Sequence, residues 1–173
     1  MLKHLILVAS LSAALASPVC AAEEKACDFL WPLATEISWF EADTSEQVAS
    51  GGTLADLPQD KAIALALKPA AEADLPVKPT STPKPSDDKK FGGLVTIEKF
   101  AEPGAYQVAI SDSGWLDVIQ NGVPLEAIAH TGSHDCKKLR KSVRFEVGEG
   151  PVSIQVSGVP GNSIKIAIRP AAD

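Results

Sequence analysis

Between Phe91 and Pro170, apolar and polar side chains alternate in short runs. Val143, Phe145 and Val147 take every second position, with Arg144 and Glu146 between them. Val152, Ile154 and Val156 repeat the pattern around Ser153, Gln155 and Ser157. Ile164, Ile166 and Ile168 repeat it again, with Lys165 and Arg169 on the opposite face. Successive side chains of a strand point to opposite faces, so this period of two predicts strands with one buried and one wet face. The residues are mostly β-branched or aromatic, which suits a pleated, half-buried surface. Leu94–Phe100, Tyr106–Ser111, Trp115–Ile119 and Leu125–His130 read as further strands, giving about seven in roughly 80 residues, the density of a sandwich or jelly roll.

Turn dipeptides punctuate these runs. Asn121-Gly122 follows the Trp115 run, and an Asn-Gly pair is the strongest short hairpin signal, because both central residues of a type I′ turn need positive φ. Glu149-Gly150-Pro151 and Pro160-Gly161-Asn162 divide the last three strands. Upstream, Ala62–Leu67 is an eighth alternating run with Ile63, Leu65 and Leu67 inward. Asp28 could cap a short helix at the start of the Cys27–Leu33 stretch, or that stretch is extended up to Pro32; Thr35–Phe40 then reads as one or two helical turns placing Leu33, Ile37 and Phe40 on one face. Trp31 and Trp39 are expected to plug this segment onto the sheet. The pattern therefore predicts an all-β, two-sheet antiparallel β-sandwich or jelly roll of about eight strands with a short N-terminal helix.

The start of the chain reads differently. Lys3 precedes an apolar run of 12 residues, Leu5–Ala16, and small residues follow at Ser17–Ala22. This is the pattern of a secretory signal peptide, with cleavage expected after Ala21, and the run is too short for a permanent membrane span. Cys20 raises the alternative of a lipidated cysteine, against which Ser17-Pro18-Val19 speaks, since a small residue is expected immediately before such a site. Cleavage leaves residues 22–173 as a single periplasmic domain, monomeric and without a transmembrane segment. Loss of Lys3 takes the formal charge from −6 to about −7, which disfavours nucleic acid as a partner. Cys27 and Cys136 then remain, and two cysteines in an exported chain read as a disulfide; the rival is a reactive thiol beside His134. Pro69, Pro76, Pro79, Pro83 and Pro85 make residues 69–90 an exposed, polyproline-like loop within the domain.

The candidate chemistry is thin. His130, His134 and Asp135 offer two imidazoles and a carboxylate to copper or zinc, although the run holds no third nitrogen and Gly132 marks it as a loop. Lys137, Lys138, Arg140 and Lys141 concentrate positive charge in an acidic chain; they suit an anionic ligand or acidic partner, or else simple solubilising charge on a loop and edge strand. Tyr106, Trp115, Trp31 and Trp39 could stack a sugar, but at 5% aromatic residues the rings are more simply core. Asp112, Asp117 and Glu126 are scattered carboxylates without a glycosidase pattern. No G-x-S-x-G, H-E-x-x-H or phosphate-binding Gly-rich loop occurs, so neither a catalytic activity nor a required cofactor is expected.

Ala101-Glu102-Pro103-Gly104-Ala105-Tyr106-Gln107-Val108-Ala109-Ile110-Ser111, followed by Trp115-Leu116-Asp117-Val118 and Gly122, resembles the bacterial pre-peptidase C-terminal β-sandwich. The whole chain also resembles small periplasmic proteobacterial proteins that pair a Cys-Asp-Phe-x-Trp start with a late Asp-Cys and a Lys-Ser-Val-Arg-Phe strand. These resemblances imply a jelly-roll fold and a Cys27–Cys136 pairing, and they bring no catalytic residue. The expectation is a non-catalytic envelope domain that binds an unknown protein or glycan, with a periplasmic metal-binding protein as the alternative.

Overall fold

The computed structural model describes residues 27–80, 90–100 and 102–171. The leader, Cys20 and the cleavage site lie outside the described residues, as do Pro83 and Pro85. Two sheets face one another across the core. The first runs in the order β1 (Glu46–Ala49), β3 (Ile63–Ala66), β12 (Ser163–Pro170), β6 (Gly104–Ile110), β10 (Lys141–Val147), β9 (Ala127–Gly132). The second runs β2 (Gly52–Asp56), β5 (Phe91–Lys99), β11 (Val152–Val159), β7 (Trp115–Gln120), β8 (Val123–Pro124), with β4 (Lys68–Pro69) also on β5. The one α-helix among the described residues, α1 (Ala34–Glu41), lies on the outer face of the first sheet, and a 3₁₀ turn spans Ala70–Glu72.

The alternating residues do what their period requires. Val152, Ile154, Val156, Ile164, Ile166 and Ile168 are all buried and meet Val143, Phe145 and Val147 in one cluster between the sheets. Asn121 and Gly122 both have positive φ (53° and 76°), closing the two-residue hairpin that pairs Gln120 with Val123. Tyr106 is core, its hydroxyl donating to Glu102 O at 2.8 Å and its ring meeting Phe100 edge-on at 4.9 Å.

The sheets are mixed rather than antiparallel throughout. β1 pairs parallel with β3, and β2 parallel with β5. Parallel neighbours need a crossover. Here β2 provides it: the Ser50–Gly51 turn carries the chain from the edge of one sheet to the edge of the other, Gly51 taking φ 89° and donating its N–H to Leu94 O. Most later connections cross the core as well. β10 to β11, and β11 to β12, pass between sheets through Glu149–Pro151 and Pro160–Asn162, so these turns make arches and not hairpins. The expected Leu125–His130 strand starts later and runs further: Leu125 still donates its N–H to Val118 O of β7 at 2.7 Å, and β9 of the opposite sheet begins at Ala127 and continues to Gly132.

Both outer faces, expected to be wet, are partly covered. On the first sheet Ala109 and Ala167 leave room for a second apolar cluster, built from Leu33, Phe40, Cys136 and Leu139 with Trp31 and Trp39 partly buried against it. No helix forms between Cys27 and Leu33, which bends at Leu30–Trp31, so Asp28 is exposed and caps none; the helix begins after Leu33. Lys165 Nζ donates to Phe40 O and Ala42 O at 2.6 and 3.1 Å and satisfies the helix C-terminus. Cys27 and Cys136 are bonded, across a sequence separation of 109, and fasten this cap to the β9–β10 loop. Residues 69–90, expected to be exposed loop, begin with β4 and the 3₁₀ turn; Leu75–Thr80 then lies on the second sheet.

Candidate functional site

The β9–β10 connection, residues 133–140, is held at both ends. Ser133 N donates to Arg140 O at 3.2 Å, and Cys136 and Leu139 point inward to the second apolar cluster. Side chains flanking Leu139 therefore diverge, and the basic run separates into two groups. Lys138 pairs with Glu41 at 2.6 Å, and with Lys137 it borders a cavity of about 460 Å³ beside the helix end. Arg140 and Lys141 border a different cleft of about 570 Å³, whose other walls come from Asp28–Leu30, the Ser113–Gly114 turn and β9. β10 lies between β6 and β9, so Lys141 and Arg144 sit on an interior strand, not an edge.

This cleft gathers His130, His134, Arg140 and Lys141 opposite a single carboxylate, Asp28. Arg140 Nη1 donates to Ser133 O at 2.6 Å, and its Nη2 lies against His134 Nδ1, so the guanidinium is held flat along the loop. Lys141 Nζ stands 4.8 Å from the centre of the Trp115 ring. Burial holds the Lys141 ammonium below its ordinary pKa; Asp117 opposes that shift and Arg140 adds to it. The opposite wall is fixed by Leu30 N, which donates to Thr131 Oγ1 at 3.0 Å, and it presents Phe29 and the largely exposed Leu30 side chain. The result is a cationic floor with an apolar wall.

Other candidate residues are placed apart from it. Among the described residues no three His, Cys, Asp or Glu side chains stand as a group able to hold a metal ion, so His130, His134 and Asp135 do not form one. Asp112 accepts from Ser113 N at 2.6 Å within its own turn, Glu126 is exposed at the β8–β9 corner, and Asp117 is buried under Thr80. Trp115, expected in the core, is 38% exposed on the outside of the second sheet. Trp31 lies under Arg144, whose guanidinium is 4.4 Å from the ring centre.

Two buried polar groups escape a sequence reading. Glu36 is completely buried beneath the cap, accepting from Gln107 Nε2 at 2.5 Å with Arg169 at 3.6 Å. Asp117 and Gln155 are buried on the second sheet. Asp117 and Gln155 occupy strand positions that the period of two assigns to solvent, while Glu36 is a charged residue on a short helix, and nothing local distinguishes a covered polar residue from a wet one. No protein-family model, curated protein or solved structure matches this chain. No helix of the described residues is long and apolar enough to cross a membrane.

Proposed function

We propose that this protein is a non-catalytic binding domain of the cell envelope, exported by its leader, that seats an anionic group of a glycan or protein in the cleft at Arg140 and Lys141. One observation carries the reading: four nitrogen-bearing side chains converge on one cleft in a chain of formal charge −6. A guanidinium and an ammonium on a shared wall suit a carboxylate, sulfate or phosphate. Lys141 supports it further. Its charged form is held at a cost by burial, and an anion in the cleft would offset that cost. Phe29 and Leu30 supply an apolar wall against which a sugar ring or side chain packs. The Cys27–Cys136 bond suits an oxidising compartment, in keeping with a periplasmic location. The resemblance to pre-peptidase C-terminal domains favours an accessory role over a catalytic one.

The test is titration of the oxidised protein with inorganic phosphate and with a uronic-acid oligosaccharide, followed by NMR. Shifts are expected at His130, His134 and Lys141. Arg140→Glu combined with Lys141→Glu is expected to abolish them, while Lys137→Glu, outside the cleft, leaves them. Absence of shifts with both probes, or equal loss in the Lys137 variant, overturns the reading.

A further inference from the structure

Residues Leu75–Thr80 cross the outer face of the second sheet, bending at Pro76–Val77 and again at Thr80, with φ fixed at Pro76 and Pro79. Their contacts are directed at backbone and hydroxyl groups. Gln155, a fully buried side chain, donates Nε2 to Val77 O at 3.1 Å and accepts Val77 N–H at Oε1, 3.5 Å away. One side-chain amide thus pairs with both backbone groups of one residue, as a neighbouring strand would. Gln155 Nε2 also donates to Asp117 Oδ2 at 3.3 Å. Asp117 Oδ1 accepts from Thr80 Oγ1 at 2.6 Å and from Trp115 Nε1 at 3.0 Å, and Trp115 Nε1 lies 2.7 Å from Thr80 Oγ1 as well. Beside these groups Leu75 and Pro79 line a cavity of about 200 Å³ together with Phe91 and Ala73.

A buried amide and a buried carboxylate in mid-strand are costly unless each is matched by a partner of complementary chemistry. This face therefore requires an occupant that presents an N–H, a C=O and, three residues on, a hydroxyl. It reads little of the side chain at position 77, which is only half buried, while Pro76, Lys78 and Thr80 remain exposed. We propose that the outer face of the second sheet is a recognition groove for Pro-x-x-Pro-Thr or Pro-x-x-Pro-Ser peptides of a partner protein, and that residues 75–80 occupy it in cis as a built-in competitor. Proline fixes φ at two of its positions, so such a peptide loses less conformational freedom on docking. The tethered copy competes at a high effective concentration, which keeps the groove closed to weak or mismatched sequences. The inference does not depend on the anionic cleft.

The test uses the full chain with the tether's contacts removed by Val77→Pro and Thr80→Ala. The first change deletes the N–H; the second deletes the hydroxyl. The probe is the free hexapeptide Leu-Pro-Val-Lys-Pro-Thr with blocked ends, and the readout is the Trp115 indole N–H resonance, assigned through Trp115→Phe. Saturable shifts are expected in the double variant, at least about tenfold tighter than in the unmodified chain, where the tether competes. Replacing the peptide's Thr by Val, or adding Gln155→Leu to the protein, is expected to remove them. A folded double variant whose Trp115 signal ignores the peptide, or responds equally to the Val peptide, overturns the proposal. Should the double variant not fold, amide exchange in the unmodified chain decides. The Val77 N–H must exchange through local opening far faster than that of Ile154, and exchange of both only on global unfolding refutes a displaceable tether.

Discussion

Breaking the Cys27–Cys136 bond by Cys27→Ser with Cys136→Ser is the perturbation whose size follows most directly from the structure. The bond closes a loop with a sequence separation of 109. Taking that loop in the chain-entropy relation gives about 4.8 kcal/mol at 25 °C, with native disulfides delivering roughly 2–5 kcal/mol in practice. In a chain of this size, at about 3 °C per kcal/mol, that corresponds to a fall in Tm of roughly 6–16 °C. The loss should be global as well as local. The bond holds the segment bearing Leu33 and Phe40 over the first sheet, where Ala109, Ala167 and the buried Glu36 would otherwise meet water. Urea denaturation of the oxidised protein and the double variant, followed by far-UV circular dichroism, measures it. A midpoint shift with little change in slope is expected if the cap stays docked, and a lower slope if it detaches and the native state already exposes surface. A stability difference below about 1 kcal/mol would refute the reasoning, because a loop this long cannot be released so cheaply unless the reduced chain stays just as constrained.

Three further outcomes are expected. Arg169→Met leaves the Glu36 carboxylate buried beside Gln107 alone and should cost about 3 kcal/mol or more, whereas Glu36→Leu with Arg169→Met should recover most of that loss in a denaturation cycle. Lys141→Gln should stabilise the unliganded protein at neutral pH. Its ammonium is disfavoured in the folded state, so the penalty is complete below the lowered pKa and fades as pH rises toward the ordinary lysine value; stability curves at pH 7 and above pH 10 compare the two. Gly122→Val forces a β-branched residue to φ 76° and should destabilise by more than about 1 kcal/mol, read as a lower urea midpoint.

Some of this was legible residue by residue. Ile164, Ile166 and Ile168 announce a strand and its buried face without reference to any other part of the chain, because the pleat is a local property of extended backbone. Asn121-Gly122 declares its hairpin for the same reason, and Cys27 and Cys136 are paired by their count alone. The candidate site was legible in parts: His130, His134, Arg140 and Lys141 stand out as residue types, but their separation from Lys137 and Lys138 depends on Leu139 and Cys136 turning inward beneath the helix.

The sequence by itself determined the strands, their inward faces, the helix and the covalent clamp. Only the tertiary structure decided which sheet each strand joins, because β10, β11 and β12 follow one another in the chain yet alternate across the core. It also decided that Glu36, Asp117 and Gln155 are dry. A polar residue on the outer side of a strand or on a short helix looks the same in sequence whether it meets water or another segment. Leu75–Thr80 covers Asp117 and Gln155, and the helix turns Glu36 down onto Gln107 of the first sheet, each contact joining parts far apart in the chain.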